Sequence, residues 1–433
     1  MKKVAFYTLG CKVNQYETNG MIQKFIEHGY QIVEFNEIAD IYIVNTCTVT
    51  NISDRKSRQM LRRAKEMNEN ALIVAVGCYV QVAKKEIEKM PEIDLCLGTN
   101  EKKNVVEYVE EYLQNGQKVD LEEVLLSKEY GDFGSVTYTE KVRAVIKIQD
   151  GCDRFCSYCL IPYARGRVRS RKPEKVIEEI KSIAGRGIKE VVMTGIHVAS
   201  YGKDFKENYQ LIDLLEAIEK IEGIERIRLG SMEPLLMNEA FLERLEKLDK
   251  ICHHFHLSLQ SGCDKTLERM NRRYSIKQFE QIVQNLRKTY KDVILTTDII
   301  VGFPGETEEE FAETYAFLKK IKFYKMHVFK YSVRSGTKAA LLENQVPNEK
   351  KEERSKKLIQ LSEENQQWYH QKWMGKQVEV LVEEKEGQFY KGHTGNYLFV
   401  KWQGNQNGIN EFVKGIVEGG TKEELIVKNV TKM

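Results

Sequence analysis

Gly151-Cys152-Asp153-Arg154-Phe155-Cys156-Ser157-Tyr158-Cys159 sets three thiols in a C-x3-C-x2-C spacing directly behind the apolar run Val142 to Ile148. A loop this short brings three thiolates to one metal centre and cannot supply a fourth. The alternatives are a zinc site or a disulfide. Structural zinc takes four ligands, usually as paired C-x2-C units, and here one C-x2-C stands beside a lone Cys. A four-iron cluster held by three thiolates keeps one iron open for another ligand, and the spacing points there.

The chain has 433 residues, 42% hydrophobic and 30% charged, the profile of a soluble globular protein of about two to four domains. A net charge of +3 says little about a polyanionic partner. Nine cysteines in an intracellular-looking chain favour metal or redox chemistry over a disulfide framework. Val4 to Gly10 is too short for a secretory signal, with Lys12, Asn14 and Gln15 close behind. No run approaches a membrane span. The expectation is a cytoplasmic protein with no membrane partner.

Residues 1–130 alternate strand and helix signals, with strands at Val4 to Leu9, Ile41 to Val44 and Ala71 to Val76. Helical stretches run from Glu17 to His28 and from Asp54 to Asn68, with Asp54 as the cap. This alternation predicts an open α/β domain, a parallel sheet with helices on both faces. Ligands of such sheets bind outside the carboxyl ends of the strands, and Cys11, Cys47 and Cys78 each fall within three residues of such an end. One buried thiol is ordinary core; three at one topological position read as a second three-thiolate cluster. Cys96, among apolar neighbours and without a turn glycine, reads as core. The helix after Cys47 carries Arg55, Lys56, Arg58, Arg62, Arg63 and Lys65 before Glu66. Exposed helix faces are ordinarily charged, but the single sign makes Arg58 and Arg62 candidates for nucleic-acid contact.

A Gly/Ser/Thr-rich connector, Gly131 to Thr139, leads into about six strand–helix units within residues 131–370. They predict a partial (β/α)6 barrel with its site at the strands' carboxyl ends. Thr194-Gly195, Gly230-Ser231-Met232-Glu233, Gln260-Ser261-Gly262 and Gly302 to Glu306 stand there. Glycines admit close approach of backbone to a ligand, although any one of them is also simple turn chemistry. Ala164 to Lys172 holds five cations in nine residues and no acid. Arg165, Arg167, Arg169 and Arg171 therefore read as phosphate contacts, a solvated loop being the bland alternative. Cys252 and Cys263 are isolated and read as structural.

Residues 371–433 contain short β runs, Val378 to Val382, Gln388 to His393, Tyr397 to Trp402 and Gly415 to Val417, between Gly/Asn turns. That pattern predicts a small all-β barrel of oligonucleotide-binding style. Phe389, Tyr390, Tyr397, Phe399 and Trp402 offer faces for base stacking, yet aromatics in a small barrel are more often core.

The whole chain resembles the methylthiotransferases of the radical S-adenosylmethionine (SAM) superfamily. The resemblance rests on Gly10-Cys11, Asn45-Thr46-Cys47, Gly77-Cys78, the Cys152–Cys159 loop with Pro162 to Gly166, His256 to Gly262 and Thr297 to Glu306. It implies SAM and two 4Fe-4S clusters, one on Cys152, Cys156 and Cys159 and an auxiliary one on Cys11, Cys47 and Cys78. It sets Tyr158 against the SAM adenine and Thr194, Gly195, Ser231 and Glu233 around SAM. The family's Gly-Gly-Glu reads Thr194-Gly195-Ile196-His197 here, and no catalytic side chain follows. The C-terminal barrel corresponds to an RNA-binding TRAM domain. Thr8 to Thr18 is similar to the bacterial branch that methylthiolates carbon 2 of N6-threonylcarbamoyladenosine. That nucleoside lies at position 37 of tRNAs reading codons that begin with A, and the branch uses two SAM per turnover. The implied partners are a tRNA anticodon stem-loop and a low-potential electron donor, with the enzyme a monomer. The alternatives are the isopentenyladenosine branch, with Met-Asn in place of Val13-Asn14, and the branch modifying a ribosomal protein, with Pro-Lys-Asn. The non-enzymatic alternative is an iron-sulfur RNA-binding or redox-sensing protein.

Overall fold

The computed structural model describes residues 1–139, 142–404 and 408–433. The first residues form a five-stranded parallel sheet in the order Gln31–Val33, Lys3–Thr8, Ile41–Thr46, Leu72–Gly77 and Leu95–Leu97. Ile41–Thr46 and Leu72–Gly77 are buried at every position, so their sequence runs apolar without alternation. Successive side chains still go to opposite faces. Tyr42, Val44, Ile73 and Ala75 pack with Met60, Leu61 and Ala64 of the helix Asn51–Met67. Ile41, Ile43, Val74 and Val76 pack with Met21 and Phe25 of the helix Lys12–Glu27 and with Val105, Val106 and Val109 of the helix Val105–Asn115. Thr50, not Asp54, caps Asn51–Met67, its hydroxyl accepting from the Ser53 N–H. Asp54 lies in the first turn and pairs with Arg334 at 2.6 Å. The first helix begins at Lys12 rather than Glu17, because Cys11 is its N-cap in extended backbone.

Six parallel strands follow: Arg143–Asp150, Glu190–Gly195, Arg226–Leu229, His254–Leu257, Ile294–Val301 and Lys325–Lys330. They lie in two sheets that meet through the parallel bridge Ile227–Ile251. The helices Pro173–Gly185, Leu211–Glu219, Ile276–Thr289 and Glu308–Ile321 share one core with outward strand residues such as Ile146, Leu229, Phe255 and Leu295. Alternate strand positions face the interior. The fold is the expected α/β one, a parallel sheet followed by an open (β/α)6 barrel. No helix among the described residues is long and apolar enough to cross a membrane.

Five strands then close a small barrel in the order Gln377–Glu386, Phe389–Thr394, Phe399–Gln403, Leu425–Lys432 and Phe412–Gly420. Tyr390 and Trp402 stack inside it at 5.8 Å and are buried, whereas Phe389 is exposed. This barrel docks on the amino-terminal ends of the six-strand barrel, the end away from the cysteine loop. Arg228 Nε donates to Glu190 at 2.8 Å, and its Nη atoms donate to the Gly395 and Thr394 carbonyls at 3.1 and 3.2 Å. Tyr397 inserts between His254 and His393, 4.6 Å from each ring. Arg228→Ala strips Glu190 and both carbonyls of a buried donor, a change that costs about 3–5 kcal/mol. The urea midpoint is expected to fall, with the small barrel released earlier in limited proteolysis. An unchanged midpoint and cleavage pattern would remove Arg228 from the docking contact.

Candidate functional site

Strand Arg143–Asp150 ends at Gly151, where φ is +70° and an added Cβ would lie 1.8 Å from the Arg167 carbonyl oxygen. Glycine alone fits this turn, and it sends the chain straight into the cysteine loop. The loop is pinned on both sides. Cys152 N–H donates to the Gly166 carbonyl at 3.0 Å and Ser157 N–H to the Met270 carbonyl at 3.1 Å. The Ser157 hydroxyl donates to the Arg269 carbonyl at 2.7 Å, and the Asn271 amide to the Phe155 carbonyl at 3.0 Å. Each sulfur receives an N–H: Arg154 backbone to Cys152 at 3.5 Å, Ile161 backbone to Cys159 at 3.4 Å, and the Arg272 guanidinium to Cys156 at 3.5 Å. Burial pushes the Cys152 thiol up to about 11 and Cys159 up to about 12.

Cys11, Cys47 and Cys78 leave the carboxyl ends of three neighbouring strands. Gly10 has φ +102°, and its Cβ would lie 2.9 Å from Cys47 Sγ; Gly77 has φ +101°, and its Cβ would lie 2.8 Å from Asn45 Oδ1. Gly10 keeps clear the space beside the Cys47 thiol, and Gly77 the space taken by Asn45 and Lys102. The Asn14 amide ties two of the turns together, donating to the Leu9 carbonyl at 2.7 Å and the Thr46 carbonyl at 3.0 Å. Cys96 lies within the strand Leu95–Leu97 against an apolar cluster, and Cys252 and Cys263 are buried. None of these three stands at the ends that carry the other six.

Arg165 joins the two sets. It is fully buried; Nε donates to Cys78 Sγ at 3.2 Å, Nη1 to Glu17 at 2.6 Å and Asp150 at 3.2 Å, and Nη2 to Asn14 at 2.6 Å and Glu17 at 2.9 Å. Lys102 and Lys147 each reach Glu17 at 2.7 Å. Burial opposes ionisation of Glu17, but Arg165, Lys102 and Lys147 outweigh it and hold the carboxyl well below the usual range. This corrects the phosphate-contact reading of the cation-rich stretch. Arg165, Arg169 and Arg171 are 0%, 2% and 1% exposed, because the carboxylates they face come from other segments of the fold. Arg169 donates to Asn100 at 2.9 Å and to the Arg165 carbonyl at 2.7 Å; Arg171 donates to Glu179 at 2.8 Å and to the Gly134 carbonyl at 2.7 Å. The stretch expected to be a connector is thereby held, and its Phe133 ring packs 6.5 Å from Tyr16. Of the four arginines only Arg167 is exposed, lying over the Phe155 ring at 4.7 Å. Arg58 is half-buried on Glu86 at 3.0 Å and on the Tyr79 hydroxyl, and Arg62 is exposed beside Glu92 at 3.4 Å.

At the barrel rim Glu233 is buried between His197 Nε2 at 3.3 Å and Arg272 Nη2 at 3.2 Å. Burial opposes its charge, yet the His197 hydrogen bond and the Arg272 charge hold it below the ordinary carboxylate value. Arg272 thus touches both Glu233 and Cys156, and nothing in Met270-Asn271-Arg272-Arg273 marks it in the sequence. Thr194 is buried, and Gly195 lies against Gln149, whose Oε1 accepts the His197 N–H at 2.7 Å. Ser231 is exposed, in register with His256, and Tyr158 packs edge-on to Phe303 at 6.3 Å. A cleft of about 870 Å³ is lined by Asn51, Asp54, Arg58, Tyr79, Lys84, Lys85, Leu160, Tyr163 and Arg334, and Tyr79 and Leu160 directly follow Cys78 and Cys159 in the chain.

Residues 146–318 match the radical SAM superfamily, and residues 3–98 match the uncharacterized protein family UPF0004. The chain is 41% identical over 421 residues to the threonylcarbamoyladenosine tRNA methylthiotransferase MtaB of Bacillus subtilis (strain 168), covering 96% of this chain and 93% of that one. It is 44% identical to MtaB of Aquifex aeolicus (strain VF5), covering 93% and 97%. The chain belongs to the radical SAM methylthiotransferase family. A tRNA-2-methylthio-N6-dimethylallyladenosine synthase of Methylacidiphilum infernorum (isolate V4) is 37% identical over 93% of this chain and 91% of that one. Among solved structures, the radical SAM methyltransferase TsrM of Kitasatospora setae shares the fold, with a TM-score of 0.58 at 15% identity over 76% of this chain and 73% of that one.

The cofactors of a radical SAM methylthiotransferase are SAM and two 4Fe-4S clusters, and the donor sets fit them. Each set offers three thiols outside any disulfide, and N–H groups point at the sulfurs of Cys78, Cys152, Cys156 and Cys159. Cys152, Cys156 and Cys159 would hold one cluster, which would supply the electron for SAM cleavage, and Cys11, Cys47 and Cys78 would hold the other. Arg165→Met removes the guanidinium that touches Cys78, Glu17 and Asp150 together, a loss of about 3–5 kcal/mol. Anaerobic melting is expected several degrees lower. Iron retained in a Cys152, Cys156 and Cys159→Ala background is expected to drop as well. A melting curve superimposable on that of the unsubstituted methylthiotransferase would show the network to be dispensable.

Proposed function

We propose that this methylthiotransferase replaces the hydrogen on carbon 2 of N6-threonylcarbamoyladenosine with a methylthio group, using two SAM per turnover. The nucleoside is taken at position 37 of the anticodon stem-loop, in tRNAs reading codons that begin with A. The observation that carries this reading is identity of 41% and 44% over nearly the whole chain to proteins named for that substrate, against 37% for the relative named for dimethylallyladenosine. The carbon 2 C–H bond is neither acidic nor polarised, so the reaction calls on cofactor radical chemistry rather than a protein acid or base. The protein's own residues bind and orient. Tyr158, Thr194, Gly195, Ser231 and Glu233 form the SAM side, with Arg272 holding Glu233 against Cys156. The cleft beside Tyr79 and Leu160 receives the RNA, since Arg58, Lys84 and Lys85 suit phosphates and Tyr79 and Tyr163 suit an unstacked base. Arg62 and Lys89 continue the cations outward. A base in a single-stranded loop leaves its stack at low cost.

On this reading residues 1–130 carry the auxiliary cluster, 131–370 form the SAM barrel and 371–433 are the TRAM domain. The enzyme acts as a cytoplasmic monomer served by a low-potential electron donor. Replacing Cys152, Cys156 and Cys159 with Ala is expected to remove roughly half of the bound iron and all 5′-deoxyadenosine formation. Replacing Cys11, Cys47 and Cys78 is expected to remove the other half and leave some SAM cleavage. Full iron in the second variant would overturn the auxiliary site. On stem-loops differing only in the N6 group, turnover is expected with threonylcarbamoyl. Comparable turnover with isopentenyl would overturn the substrate.

A further inference from the structure

The barrel interior holds a polar cluster that neither cysteine set uses. His256, Asp298 and His327 stand on three adjacent strands, and one nitrogen or oxygen atom of each lies within 4.8 Å of the others. His256 Nε2 meets Asp298 Oδ2 at 3.0 Å, and its Nδ1 meets Thr296 Oγ1 at 3.0 Å. Asp298 and His327 are in register, and the two imidazole rings are 5.7 Å apart. The intervening residues Phe255, Leu257, Leu295 and Met326 face the outer core, so these polar side chains point inward. Even so, His256 and Asp298 are only half-buried and His327 is exposed. The interior is therefore open at this level.

The cluster lies close beneath the reaction centre. His256 is two residues below Ser258, whose carbonyl accepts from Arg272 at 3.0 Å, and Arg272 also reaches Cys156 Sγ at 3.5 Å. At about 3.3 Å per residue, two residues are about 7 Å.

We propose that Asp298 and His327, with His256 positioning Asp298, bind the amino-acid part of the base's N6 substituent. This rests on the assignment of threonylcarbamoyladenosine and deepens it. That substituent presents a carboxylate, which accepts, and a hydroxyl and urea N–H groups, which donate. His327 supplies an N–H donor for the carboxylate, and Asp298, its Oδ2 held by His256 at 3.0 Å, accepts from the hydroxyl or urea through Oδ1. A dimethylallyl group offers neither kind of partner and would desolvate the three side chains without compensation. A site built to hydrogen-bond its substrate rejects such an analogue by orders of magnitude. A divalent metal also favours two imidazoles and a carboxylate. Against it, His256 already spends Nε2 on Asp298 and Nδ1 on Thr296.

The test compares wild-type, His327→Leu, His327→Gln and Asp298→Asn holoenzymes. Affinity by fluorescence anisotropy and kcat/KM are measured on two anticodon stem-loops, one bearing threonylcarbamoyl and one dimethylallyl. His327→Leu and Asp298→Asn are each expected to weaken binding of the threonylcarbamoyl stem-loop by about 10–100-fold. Affinity for the dimethylallyl version holds or rises, so the preference collapses, and His327→Gln recovers part of it. Variants that lose both stem-loops equally, or keep the wild-type preference, would overturn the inference and leave the substrate assignment standing. A wild type that prefers dimethylallyl would overturn both. One equivalent of a non-iron metal per wild-type chain, absent from His327→Leu and Asp298→Asn, would make the cluster a metal site instead.

Discussion

The Arg165 guanidinium sits, charged and fully buried, between Cys78 and Asp150, the end of the strand that leads into the cysteine loop, and the rest of the arrangement depends on it. An unpaired charge there would be prohibitive, and breaking a buried pair costs several kcal/mol. Glu17, Asp150, Asn14 and the Cys78 sulfur together take its donors. Those partners come from the first helix, the end of the first barrel strand and the third strand-end turn, so the network exists only while the N-terminal sheet is docked on the barrel. Area alone holds two domains together loosely; buried complementary charge also sets their register. Arg169 extends the same device to Asn100, and Arg171 reaches the Tyr16 hydroxyl of the first helix while pairing with Glu179 of its own barrel.

Docked in this way, the sheet and the barrel present the carboxyl ends of their parallel strands to a common space. Strand ends release the chain from its ladder, and glycines at positive φ turn it sharply: Gly10, Gly77 and Gly151 each precede a cysteine. The thiols therefore rest on backbone that the sheets hold rigid rather than on free loops. The small C-terminal barrel sits at the opposite end of the strands, seated on Arg226, Arg228 and His254.

Much of this was legible in the sequence, and the reason is locality. C-x3-C-x2-C states within eight residues how many thiols one loop delivers, and apolar runs closed by Gly-Cys or Asn-Thr-Cys state where strands stop. Alternating strand and helix periods then leave few folds to choose among. Misreadings at this level were small. The cap moved from Asp54 to Thr50, and the strand Leu425–Lys432 went unseen because only Leu425 and Val427 of its residues are buried.

The fate of the charged side chains was decided only by tertiary structure. A run of arginines looks the same in sequence whether it meets phosphate, water or carboxylates, and Glu17, Asp150 and Glu179 are carboxylates that folding alone brings to Arg165 and Arg171. Arg272 and the His256–Asp298–His327 group were hidden for the same cause, since their partners sit on other strands and loops. What the sequence by itself determined was the local chemistry, how many thiols and of what spacing on which kind of element. Which charges are buried, and against what, depends on contacts between different segments of the chain, and those exist only once it has folded.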